Sequence, residues 1–195
     1  GLGQDIAFSD NQIKIGMRLM TKLWNAFWFT REHTAQVRQL ENTPQDLGVL
    51  NEWILHQATH TFSEYTKYLD KHEMSIALQH AEQFFWNDFC DNYVELIKDQ
   101  LFNPANYSSQ EIEATRWTLA VVGLRILQLF APYMPFITEA IYEIVYEPTL
   151  NIASLHQTRY ILVQKPYSFD TSAAVMKDVL AIIGAVRKLK SEKQL

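Results

Sequence analysis

The sequence predicts an all-α (mainly) fold, a helical bundle with a short extended or strand segment near residues 152–165 and a C-terminal helix. Three observations carry this. Apolar residues recur at helical steps along each long segment, and capping signatures stand where several of those segments begin. The stretch from Phe84 to Leu101, FFWNDFCDNYVELIKDQL, contains neither glycine nor proline. In it Phe85, Phe89, Tyr93 and Leu96 form one apolar line, and Trp86, Cys90, Val94 and Ile97 form a second beside it. A helix with two apolar lines packs against several neighbours and belongs to a core. With 195 residues, 48% of them apolar, the chain is long enough to enclose one. The reading divides it into a bundle over 1–147 and a C-terminal extension over 148–195.

Residues 1–8 read as an extended lead-in, and Ser9 or Asp10 caps a first helix running to about Phe29. Ile13, Met17, Met20, Trp24 and Phe27 form its expected core stripe. The other side carries Lys14, Arg18, Lys22, Asn25 and Phe29, with Trp28 alongside, so cations, an amide and rings share one face. A solvated basic face is ordinary on a surface helix, but such a face seldom ends in exposed rings. The polar run from Thr30 to Asn42 reads as a loop holding Arg31, His33 and Arg38. Thr43-Pro44-Gln45-Asp46 reads as the start of a second helix, with Leu47, Leu50, Ile54, Ala58, Phe62, Tyr65 and Leu69 on its core line.

A third helix is expected from about Met74 to Leu101. Ser108 and Glu111 form a capping box for a fourth, carried by Ile112, Leu119, Val122, Ile126 and Leu129. Pro132 and Pro135 end it and restart the chain as a short helix to about Tyr146. Ser154-Leu155-His156 and Tyr160-Ile161-Leu162-Val163 read as extended. The last helix begins near Thr171 and ends in Arg187, Lys188, Lys190 and Lys193.

Several chemistries are disfavoured. The six glycines, at 1, 3, 16, 48, 123 and 184, are too scattered for a phosphate-cradling loop. His56, His60 and Glu64 have metal-ligand spacing, yet no further ligand is implied, so no metal is expected. Asp88 and Asp91 read as hydrogen-bonded or solvated carboxylates rather than a catalytic pair. The single cysteine, Cys90, lies in a helical apolar line and suits a reducing cytoplasm. The apolar run 119–137 is broken by Arg125, Gln128 and two prolines, so no membrane partner is expected. A net charge of -5 excludes bulk electrostatic wrapping of nucleic acid, leaving only a local basic patch. The start, without Met or a signal peptide, reads as that of an excised piece of a longer protein.

Three stretches together resemble one family. The Phe-Trp-Asn-Asp-Phe-Cys-Asp wording of 85–91 is similar to the bundle helix of the anticodon-binding domain in class I aminoacyl-tRNA synthetases, and closer to valyl than to isoleucyl or leucyl members. Thr21-Lys22-Leu23-Trp24-Asn25-Ala26 resembles the signature of that domain's first helix, after a GQDIAFS lead-in. Phe130-Ala131-Pro132-Tyr133-Met134-Pro135-Phe136-Ile137-Thr138-Glu139 resembles its proline junction, and Ser154-Leu155-His156 and VRKLKSEKQL resemble later segments. The HIGH and KMSKS signatures of catalysis are absent from the chain.

The resemblance implies a domain that binds the anticodon stem-loop of tRNA(Val) as part of a cytoplasmic valine-tRNA ligase. A separate catalytic domain would use ATP and magnesium, and this piece alone would be inactive and need no cofactor. The expected partners are tRNA(Val) and the rest of the synthetase chain, with no DNA. Asn25, Trp28, Phe29, Arg31, His33 and Arg38 are the expected anticodon contacts, and Lys14, Arg18 and Lys22 a weaker backbone-contact set. Trp86 and Asp91, on the third helix, are expected first as core support and only secondarily as a border to this set. Trp28 stands where the family commonly has a basic residue. The alternatives are the same domain from an isoleucyl-tRNA synthetase, or a helical protein-interaction module that binds no RNA.

Overall fold

The computed structural model describes residues 9–158 and 166–193. Helix α1 (Asp10–Thr34) is followed by α2 (Gly48–Asp70) and α3 (Met74–Gln83). The chain then runs without interruption through a π-helical segment (Phe84–Val94) into α4 (Glu95–Phe102). A 3₁₀ turn (Pro104–Asn106) leads to α5 (Ser109–Phe130), then to α6 (Pro135–Val145), α7 (Glu147–Leu150), a 3₁₀ turn (Leu155–Gln157) and α8 (Asp170–Glu192). Helix α5 is the most enclosed: from Ala114 to Phe130 every residue except Arg116 is buried. A helix apolar on all sides has to be surrounded. Here α1, α2, α3, α4 and α6 surround it, while α8 lies along α2.

The hydroxyl of Ser108 accepts from the Glu111 amide, and the Glu111 carboxylate accepts from the Ser108 amide, so α5 begins with a complete capping box. Close approach at its middle depends on Gly123, where a Cβ would collide with the Tyr146 hydroxyl. That hydroxyl donates to the Ala120 carbonyl at 3.0 Å and fastens α7's entry to the core.

The long third helix departs from regular α geometry. Ala77, Ala81, Phe85, Phe89, Tyr93, Ile97 and Leu101 are all buried, each four residues after the last. In an α-helix a step of four overshoots a full turn by about 40°, so a strict four-residue stripe would wind away from the core. Wider π turns, closed by i→i+5 hydrogen bonds, correct the drift. The side-chain amide of Asn92 follows the same spacing, donating to the Asn87 carbonyl at 2.8 Å.

Polar groups at the core are tied across elements. Asn51 donates to Thr115 Oγ1 at 3.2 Å and accepts from the Tyr93 hydroxyl at 2.7 Å, linking α2, α5 and the π segment. Thr115 in turn donates to Gln100 Oε1 of α4 at 2.8 Å.

Four expectations are corrected. The buried stripe of α1 is Leu19, Leu23, Phe27, Thr30 and Thr34, whereas Ile13, Met17, Met20 and Trp24 are 38–56% exposed. The helix runs on to Thr34 rather than stopping near Phe29, because the hydroxyls of Thr30 and Thr34 donate back to the carbonyls of Ala26 and Thr30 and can be buried satisfied. Helix α2 begins at Gly48, not Thr43, since Gly48 has φ 73° and redirects the chain, its amide bonded to Asp46 Oδ1. The extended or strand segment near 152–165 is not seen at its first half. Leu155–Gln157 forms a 3₁₀ turn, with Ser154 capping His156 and buried Leu155 donating to Glu139, and no strand occurs among the described residues. Tyr160 to Val163 lie outside those residues.

Two stability measurements follow. Phe85, fully buried on the stripe, should cost about 3–5 kcal/mol when changed to alanine, read by urea denaturation. Asp88 is pushed up to about 6 from 3.8 by burial, so ionising it opposes folding. Its favourable contribution is complete below about 3.8 and is lost as pH rises through about 6. Asp88→Asn should therefore stabilise the fold by roughly 1–3 kcal/mol at pH 7, with the gain fading near pH 3.5.

Candidate nucleic-acid interface

Burying Leu19, Leu23, Phe27, Thr30 and Thr34 fixes the rotation of α1, and two flanks of the helix remain outside the core. One flank carries Trp24, Trp28 and Arg31. The indoles of Trp24 and Trp28 stack with centroids 6.2 Å apart and planes 18° from parallel, and the Arg31 guanidinium lies 5.1 Å over the Trp28 ring. Trp28 is 52% exposed and Arg31 is exposed. Ile141, Ile144 and Val145 of α6 back the indoles from below. Arg31 forms no ion pair among the described residues, although Glu32 lines the same surface hollow as Trp28 and Arg31.

The other flank carries Phe29 and His33 against Phe102, at the end of α4. The Phe29 and His33 rings are 4.5 Å apart, and His33 meets Phe102 edge-on at 5.2 Å. Burial holds the His33 imidazole below its ordinary pKa; Glu32 opposes that shift and the nearby Arg116 adds to it. His33 Nε2 is buried and has no hydrogen-bond partner among the described residues. A neutral ring in an aromatic cluster is thus the resting state of this flank.

The structure divides the expected contact set. Trp28 and Arg31 are brought together on one flank, and Phe29 and His33 on the other. Asn25 is exposed on the ridge between them. Phe29 is half-buried against the core, a correction to its expected exposure. Arg31 and His33 lie on the last turns of α1 rather than in a loop, and Arg38 alone of the six lies in the loop beyond. Lys14 and Arg18 are exposed toward the start of α1, while Lys22 is half-buried with its Nζ 5.5 Å over the Trp86 ring. Asp91 is exposed.

Three residues escaped the sequence reading. Trp24 was assigned to the core, although its spacing of four from Trp28 is that of neighbours on a helix face. Phe102 sits beyond the last apolar position of its helix. Arg116, the one unburied residue between Ala114 and Phe130, is an arginine in an apolar helix.

Arg116 opens onto a cleft of about 840 Å³ between the end of α1, the following loop and the start of α5. Val37, Pro44, Pro104 and Ile112 supply apolar walls, and Gln36, Arg38, Gln39, Asn42 and Glu113 supply polar groups. Arg116 donates to Gln36 Oε1 at 2.7 Å, and Asn42 donates to Gln39.

No three His, Cys, Asp or Glu side chains are grouped to hold a metal among the described residues. His56 Nδ1 instead accepts from the Phe169 amide at 3.1 Å, and Glu64 pairs with Lys67 at 3.0 Å. No helix among the described residues is long and apolar enough to cross a membrane.

Comparison with known proteins gives the chain a family. The model of the anticodon-binding domain of tRNA ligase matches residues 51–195. Over its full length the chain is 34% identical to a valine–tRNA ligase of Ehrlichia ruminantium strain Gardel, of which it covers 23%. It is 32% identical to one of Haloarcula marismortui, covering 20%, and 34% identical to one of Wolbachia pipientis wMel, covering 22%. The chain therefore spans less than a quarter of the length of these relatives.

If the Trp24–Trp28–Arg31 ladder is a surface feature, Trp28→Ala should change the unfolding free energy by less than about 1 kcal/mol, against roughly 3–5 for a buried ring. Thermal and urea unfolding of the two variants, Trp28→Ala and Phe27→Ala, measure the contrast.

Proposed function

The chain belongs to the anticodon-binding domain family of tRNA ligases and is homologous to the anticodon domain of valyl-tRNA synthetases, and from that premise we propose that it binds the anticodon stem-loop of tRNA(Val). The observation that carries the reading is the exposed indole of Trp28 with the Arg31 guanidinium 5.1 Å above it. In a chain of net charge -5, a cation on a half-exposed ring suits a ligand that offers both a stacking base and a phosphate. Unpaired anticodon bases are splayed and offer both.

In this proposal Trp28, with Trp24 behind it, gives a base its stacking surface and Arg31 meets the backbone. Asn25, on the ridge, offers an amide to a base edge. Phe29 and His33, with Phe102, form the flank on the other side of that ridge, and Arg38 extends the basic surface beyond the helix end. Lys14 and Arg18 continue the surface along α1 toward the stem phosphates. The activation of valine with ATP and magnesium, and the transfer of valine to the tRNA, would belong to other parts of the ligase. Besides tRNA, the proposed partner is the rest of that chain, in the cytoplasm.

Fluorescence anisotropy with an RNA hairpin carrying the valine anticodon stem-loop tests this. Trp28→Ala should weaken binding by roughly 1–3 kcal/mol. Arg31→Ala should weaken binding to all hairpins alike and lower the salt slope by about 1. Asn25→Ala should reduce discrimination between valine and non-valine anticodons. Salt-insensitive binding, or a folded Trp28→Ala variant with wild-type affinity, would sink the assignment.

A further inference from the structure

The cleft beside Arg116 is not needed to explain the α1 surface, and its chemistry is distinctive. Apolar side chains line it together with amides, two guanidiniums and one carboxylate. Much of that polar capacity is unused. Gln36 and Gln39 spend their side-chain oxygens on Arg116 and Asn42, which leaves their amino groups as donors and the Asn42 oxygen as an acceptor. Trp117, 3% exposed, lines the cleft with a buried Nε1 that has no hydrogen-bond partner among the described residues, and the same is true of Arg116 Nε.

A planar ring with apolar faces and polar edges, joined to an anion, fits this combination. We propose that the cleft takes one unstacked nucleotide of the bound RNA loop, its base between the Val37 and Pro104 sides and its phosphate on Arg38 and Arg116. The proposal rests on the RNA-binding reading above. An RNA loop is favoured over a free small molecule because the cleft continues the same surface: Gln36 and Arg38 follow directly on the last turn of α1, which carries Arg31 and His33. Glu113 adds a preference. A carboxylate accepts from an exocyclic amino group, which adenine, cytosine and guanine have and uracil lacks.

The experiment uses the anticodon hairpin with 2-aminopurine placed at each loop position in turn, against the wild-type chain and the variants Gln39→Ala and Arg116→Met. Gln39 is exposed, so its variant keeps the test alive if Arg116→Met does not fold. One loop position should change its fluorescence on binding to the wild type and lose that change in the variants. Hairpin affinity should fall about tenfold, or about 1.4 kcal/mol. Uridine at that position should cause a similar loss. Folded variants that bind the hairpin as the wild type does, while Trp28→Ala weakens it, overturn the cleft and leave the α1 surface standing. A wild type that binds no hairpin overturns both. Adenosine monophosphate binding as tightly as the hairpin also overturns the proposal, making the cleft a site for free nucleotide.

Discussion

The fold depends on a stripe of seven buried side chains, from Ala77 to Leu101, repeating every four residues along one continuous helix. That spacing is incompatible with a straight α-helix facing one core, and the π-helical segment Phe84–Val94 resolves the conflict. The wider turns keep Phe85, Phe89 and Tyr93 stacked in sequence, with successive centroids 6.3 and 6.1 Å apart, and deliver the Tyr93 hydroxyl to Asn51. They also set where the helix ends. Phe102, one residue past the stripe, emerges beside α1 and closes the aromatic cluster with Phe29 and His33.

The position of α1 follows from the same core. Two threonines on its buried stripe return their hydroxyls to the helix's own carbonyls, so the core accepts them without an orphaned polar group. That choice rotates α1 so that two tryptophans, which greasiness alone would bury, stay at the surface. Their apolar area is partly covered: Trp24 packs beside Trp28, the Arg31 guanidinium lies 5.1 Å from the Trp28 ring centroid, and residues of α6 lie on the core side, while Trp28 stays 52% exposed.

Charge is distributed to match. The chain is acidic overall, but Arg31 forms no ion pair among the described residues, and Arg116 is spent on Gln36 rather than a carboxylate. His33, kept neutral by burial and by Arg116, contributes its ring rather than a charge at neutral pH.

The sequence by itself determined the helical class, the capping box at Ser108, the proline junction into α6 and the family, because these rest on local chemistry and on residue order. It also pointed to Asn25, Trp28 and Arg31 as surface groups. It could not decide which of two plausible stripes of α1 is buried, since Ile13, Met17, Met20 and Trp24 are more apolar than Thr30 and Thr34. Only the neighbours α5 and α6, which receive Leu23 and Phe27, settle that rotation. The same limit hid the π turns and the cleft. A four-residue stripe is visible in the letters, but its consequence depends on a core that lies on one side. Arg116 and Gln36 are 80 positions apart, and only tertiary packing brings them together.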